Sequence, residues 1–130
     1  MPPLNFRLRK HADYQRVYKA SRKQFSKQMS YFFTLRTPLE IASDPDGAEG
    51  ARIGLTVGKV MGKAVDRNRI KRRMREAVRR NLPSLTTPVD VILHPRRSVI
   101  DLEFALLDRE VATVFKTIQK LAARMPPAAN

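Results

Sequence analysis

Apolar positions along the chain follow two kinds of spacing. Between His11 and Ala20 they recur at threes and fours: Tyr14, Val17 and Tyr18 lie at i, i+3 and i+4, one stripe of a short helix. Met29–Leu35 (MSYFFTL) is an aromatic-rich, β-forming run that stops before Thr37-Pro38 and predicts a strand. Residues 52–57 (RIGLTV) alternate well enough for a second strand, with Met29–Leu35 as a possible hairpin partner. The segment between them, 37–50, holds two Pro, two Gly and the acids Glu40, Asp44, Asp46 and Glu49 with no base, and reads as a solvated loop. Residues 58–65 are a connection punctuated by Gly58 and Gly62.

The most legible helix is 66–81. Asp66 suits an N-cap or first-turn position, and Pro83 stops the helix two residues after Asn81. Ile70, Met74, Ala77 and Val78 form one apolar stripe at the helical period. Asn68, Arg72, Arg75 and Arg79 project from the other side, with Arg67, Arg69, Lys71, Arg73 and Arg80 on the flanks. Residues 89–94 (VDVILH) predict a third strand ended by Pro95. Over 102–125, Leu107, Val111, Val114, Phe115, Ile118, Leu121 and Ala122 repeat at threes and fours, a last helix before a tail at 126–130. The order helix–strand–strand–helix–strand–helix, without repeats, predicts one α+β domain over 1–130: a mixed sheet with helices packed on one face. Residues 52–94 could form a parallel crossover, for which right-handed is the general rule.

Charge adds function to this outline. Lys and Arg number 26 against 12 Asp and Glu, a net +14. So much like charge on a short chain repels itself unless a polyanion neutralises it. It is concentrated: residues 58–80 carry ten bases against Asp66 and Glu76, residues 5–27 eight bases against Asp13, and residues 81–130 are close to neutral. Two basic segments suggest a binding surface rather than general solubility. The chain has no cysteine, which excludes disulfides and Cys-based zinc sites. No apolar run approaches the ~18 residues of a membrane span, and the first residues lack a signal-like apolar core. The expected setting is the cytoplasm, with neither a membrane nor a small molecule as partner.

Two constellations carry candidate chemistry. Arg72, Arg75 and Arg79 stack at threes and fours, where each like-charged pair costs a few tenths of a kcal/mol. Guanidiniums there present planar donors matched to phosphate oxygens. Tyr14 and Tyr18, set among Arg7, Arg9, Lys10, Arg16, Lys19, Arg22 and Lys23, suit either the core or the stacking of unpaired bases. Alternation puts Tyr31 and Phe33 on one sheet face and Phe32 on the other. His11 and His94 lie on separate elements in no metal-ligand spacing, and surface or capping roles are expected for both. The acids of 40–49 fit no EF-hand, and no phosphate loop follows Gly54, Gly58 and Gly62. No catalytic residue and no protein metal site is expected.

RNRIKRRMR at 67–75, with GLTVGK at 54–59, Ala64-Val65 and Glu76, strongly resembles the signature of the bacterial ribonuclease P protein family. RLRKHADYQRVY at 7–18 resembles that family's opening helix, and VDVILHPR its later strand. The chain departs from the pattern at Val60, where a second Lys is common, at His94-Pro95, and in a longer 37–50 loop. The resemblance implies an α-β-β-β-α-β-α fold with a left-handed βαβ crossover, against the general rule, as in the second domain of a ribosomal protein. It implies that Lys59, Arg67, Asn68, Arg69, Lys71, Arg72 and Arg75 contact a catalytic RNA subunit. A cleft carrying Tyr14, Tyr18 and Phe33 would hold the single-stranded 5′ leader of precursor tRNA. Hydrolysis would belong to the RNA with Mg²⁺, held mainly by that RNA. The alternative class is a structural rRNA-binding ribosomal protein, of similar size, charge and build.

Overall fold

The computed structural model describes residues 6–44 and 49–126. Its elements run α1 (His11–Ala20), β1 (Gln24–Phe25), β2 (Met29–Leu35), α2 (Pro38–Ala42), β3 (Arg52–Leu55), α3 (Ala64–Asn81), β4 (Val89–Pro95) and α4 (Phe104–Arg124). The α+β class and the α-β-β-β-α-β-α order hold, with α2 as an addition. The two-residue β1 has no hydrophobic pattern of its own; it exists because it pairs with Tyr31 and Ser30 of β2.

The sheet order is β1-β2-β4-β3. Residues 29–35 and 52–57 are therefore not hairpin partners. β4 lies between them, antiparallel to β2 and parallel to β3. Its sequence gives the reason: five consecutive residues, Val89–Leu93 in the run VDVIL, are buried, as a strand covered on both faces requires. The helix between β3 and β4 is the parallel crossover. The free edge of β3 is covered by the N-terminal segment, through Leu8 N–H to Ile53 O at 3.0 Å and Ile53 N–H to Phe6 O at 2.8 Å.

The expectation of helices on one face is corrected. Met29, Tyr31, Phe33, Val91 and Leu93 face α3 and α4 in the main core, with Ile70, Met74, Leu107 and Phe115. α1 packs on the opposite face in a second, smaller cluster of Leu8, Val17 and Ile92, with Tyr14 and Phe32 against it. Along β4 the α1 face presents Asp90, then Ile92, then His94; α1 answers with Arg16, Val17 and Tyr18. One flank of the helix is thus held by ions, its middle by apolar contact and its other flank by aromatic rings.

The 37–50 segment is likewise not simply solvated. Thr37 caps α2 in a capping box with Glu40, and Asp44 has a side chain only 3% exposed. Residues 45–48 and 127–130 lie outside the described residues; of the expected tail, Pro126 is exposed. α3 starts two residues before Asp66, which sits in its first turn. Gly62 precedes it with φ of 121°, a conformation that favours glycine, and turns the chain into the helix.

Candidate nucleic-acid interface

α3 buries Ile70, Met74, Ala77 and Val78 as its stripe requires. Fully burying a side chain such as Ile70 or Met74 contributes about 1.5–3 kcal/mol, more than the like-charge repulsion on the outer side removes. The bases around that stripe then divide into two groups.

One flank is bound to its own chain. Arg69 Nε donates to Ile100 O at 3.2 Å, and Arg73 donates to Val99 O at 3.0 Å and to Leu102 O. Arg80 pairs with Asp108 at 3.2 Å, and Arg73 and Arg80 both stand 6.0 Å from the Phe104 ring. Arg79 is tied to Glu76, with Nε 3.0 Å from Oε2.

The other flank is not. Among the described residues, the side chains of Lys59, Arg67, Lys71, Arg72 and Arg75 make neither an ion pair nor a hydrogen bond, and Arg67 Nε is buried without a partner. Lys59, Asn68, Arg72 and Arg75 are exposed. Arg67, Lys71 and Arg75 recur every four residues, one row along the helix. The row ends at a cleft of about 230 Å³ where Lys71 and Arg75 meet Arg7, Tyr14 and Leu55. Burial, and then the charge of Arg7, lower the Arg75 pKa from its ordinary value. Three cations face this space and, among the described residues, no carboxylate lines it.

Tyr14 and Tyr18 share the same side of α1 and lie on the open sheet face. Tyr14 Oη donates to Leu8 O at 3.2 Å, and burial raises its pKa. Its ring rests on Gly54; a Cβ there would stand 2.7 Å from Tyr14 Cζ, so only glycine leaves the ring room. Tyr18 meets Phe32 edge-on at 4.9 Å between centroids, and its Oη lies 2.9 Å from His94 Nε2. Phe32 and His94 stand 5.5 Å apart. Burial, and then the charge of Lys23, lower the His94 pKa from its ordinary value.

Phe33 is not part of this face. It is 8% exposed and packs in the main core, with Tyr31, beneath α3 and α4. Phe32 takes the place expected for it, and His94 stands against the Tyr18 and Phe32 rings rather than as an isolated surface group. A signal for Phe32 was in the sequence: odd positions of β2 (Met29, Tyr31, Phe33, Leu35) are uniformly apolar, while even ones include Ser30 and Thr34. No comparable signal marks His94 or Arg7, which the fold brings from distant segments.

Among the described residues no three His, Asp or Glu side chains converge as a metal site would require. No helix among them is long and apolar enough to cross a membrane.

The family model described as Ribonuclease P matches residues 3–119. The chain belongs to the ribonuclease P protein family. It is 39% identical to the ribonuclease P protein component of Chloroflexus aggregans over 111 residues, 85% of this chain and 75% of that one. Identity is 32% over 117 residues, 90% of each chain, with the component of Latilactobacillus sakei. The ribonuclease P protein of Staphylococcus aureus superposes with a TM-score of 0.68 at 26% identity, covering 88% of this chain and 95% of that one. That of Thermotoga maritima shares the fold with a TM-score of 0.70 at 24% identity, over 86% and 96%. Within a ribonuclease P protein, the unpaired row of α3 and the ring-lined face of α1 are the two surfaces that remain to be given partners.

Proposed function

We propose that the chain, as the protein subunit of ribonuclease P in tRNA processing, grips the catalytic RNA through one flank of α3. Its open sheet face holds the single-stranded 5′ leader of precursor tRNA. The observation that supports this most is the continuity of the two surfaces: the Arg67–Lys71–Arg75 row runs into the cleft that Tyr14 overhangs. Guanidiniums without internal carboxylates suit phosphates, and rings in a half-exposed cleft suit unpaired bases. Lys59, Asn68 and Arg72 extend the RNA contact, and so does Arg69, exposed and engaged within the chain only through Nε; Tyr14, Tyr18 and Phe32 form the leader cleft.

Hydrolysis in this proposal belongs to the RNA, which holds Mg²⁺, and the chain supplies binding and charge neutralisation. The partners are thus the RNA subunit and precursor tRNA, in the cytoplasm. Reconstitution tests the proposal. Adding the purified chain to bacterial ribonuclease P RNA at low Mg²⁺ should restore removal of the leader. Cleavage by the chain without RNA would overturn the assignment of the chemistry, and binding without restored cleavage would overturn the subunit role.

A further inference from the structure

Phe25 is 69% exposed on a two-residue strand at the sheet edge, where a Phe gains nothing from burial. Its register shows where it points. Phe25 pairs with Ser30, and Ser30 with His94. Directly opposed residues share a sheet face, so Phe25 stands on the face that carries Phe32, His94 and Tyr18. Two strand spacings put it on the order of 10 Å from His94. Lys23 Nζ sits 5.6 Å from the Phe25 ring centroid, and the same Lys23 is close enough to His94 to lower its pKa. Arg22, Lys23 and Lys27, within three residues of Phe25 in the chain, are all exposed, and residues 14–39 contain no acid. The acid nearest the hairpin, Glu110, is occupied: it accepts from Ser26 Oγ at 2.9 Å and Gln28 N–H at 2.6 Å, and so fixes the turn that carries β1.

We infer that Phe25 and Lys23 form a further nucleotide-binding subsite at the β1 edge, where an unpaired base of the leader stacks on the ring and its phosphate meets the lysine. This rests on the leader lying along the α1 face, and adds an outer station to it. The path then has a cationic entrance at Arg7, Lys71 and Arg75, a middle at Tyr18, Phe32 and His94, and an exit at Phe25. An exposed ring with a cation beside it suits a base–phosphate unit; a purely apolar partner would leave Lys23 unmatched.

The experiment uses the reconstituted holoenzyme and precursor tRNAs whose leaders are shortened one nucleotide at a time. Phe25→Ala should weaken binding of long-leader precursor roughly five- to tenfold, the lower part of the range for one stacked base. It should leave the shortest leaders and mature tRNA unchanged, and Phe25→Trp should restore the loss. An equal loss at every leader length, no loss at any length, or a loss of RNA-subunit affinity overturns the subsite. Tyr18→Ala, run in parallel, separates the two readings. If it removes leader-dependent affinity and Phe25→Ala does not, only the outer station fails. If neither variant discriminates leader-bearing from mature tRNA, the leader cleft itself is wrong.

Discussion

Arg16, Arg36 and Arg52 converge beneath one flank of α1 on Asp13, Glu40, Asp44 and Asp90, while Arg67, Arg72 and Arg75 on α3 meet no carboxylate among the described residues. At the first place Asp90 is fully buried and accepts two hydrogen bonds of 2.7 Å from Arg52. Burial opposes the charge of Arg52, but the hydrogen bond and charge of Asp90 outweigh it and raise its pKa; Arg36, buried and beside Arg52, is lowered. Both regions are rich in guanidinium, yet one is neutralised from within and the other is left for an outside anion. The difference teaches that the location of acids, rather than of bases, separates ion-paired arginines from open ones. Arg16 of α1 and the bases of α3 look alike in the sequence; Glu40 and Asp90 are what set Arg16 apart.

The comparison can be broken most decisively at Asp90. Asp90→Ala would remove the one fully buried acid that Arg16, Arg36 and Arg52 share and should cost about 3–5 kcal/mol in chemical denaturation. A loss below about 1 kcal/mol would mean that the α1 flank does not depend on its ions. On α3 the outcome should invert. Arg72→Ala or Arg75→Ala should shift stability by no more than about 0.5 kcal/mol. Each should nevertheless weaken RNA-subunit binding by about 1.5–3 kcal/mol and flatten its salt dependence by about one unit. Arg79→Ala, already paired with Glu76, should change binding less than either; equal losses would erase the distinction between paired and unpaired guanidiniums.

The aromatic flank sharpens the contrast further. Tyr14→Ala or Tyr18→Ala should lose about 1–3 kcal/mol of affinity for leader-bearing precursor, with mature tRNA nearly unaffected. The smallest effect is set by pH. His94 titrates below its ordinary value, so its neutral form belongs to the folded state. The unfolded chain takes up that proton first, near pH 6.5, so stability should fall as pH drops through and below that value. His94→Gln should flatten this part of the stability curve. An NMR titration placing His94 above 6.5 would reverse the sign.

Most long elements were legible because their periodicity was strong: α3, α4, β2 and β4 are where the apolar spacing puts them. What escaped was set by distant partners. β1 forms only against β2, and a hairpin between residues 29–35 and 52–57 gave way because VDVIL needs cover on both faces. Glu40 and Asp44 looked solvated because their arginines arrive from α1, from the residue after β2 and from β3. At the site, Tyr14, Tyr18 and the α3 bases were readable from local pattern. Phe33 was misplaced because alternation gives two faces without saying which one α1 covers.

The central seat of β4 has a consequence for biosynthesis. Ile92 and His94, the floor of the aromatic face, and Asp90, the anchor of α1, are translated some seventy residues after the helix they hold. A nascent chain that has emerged only through α3 carries the basic side chains of α3 and can set α1 against Phe32 of β2, but lacks the Asp90, Ile92 and His94 that complete the seat of α1. Long-range strand pairing of this kind is slow relative to helix formation. The basic half of the newborn protein is therefore complete before the face that α1 forms with β4.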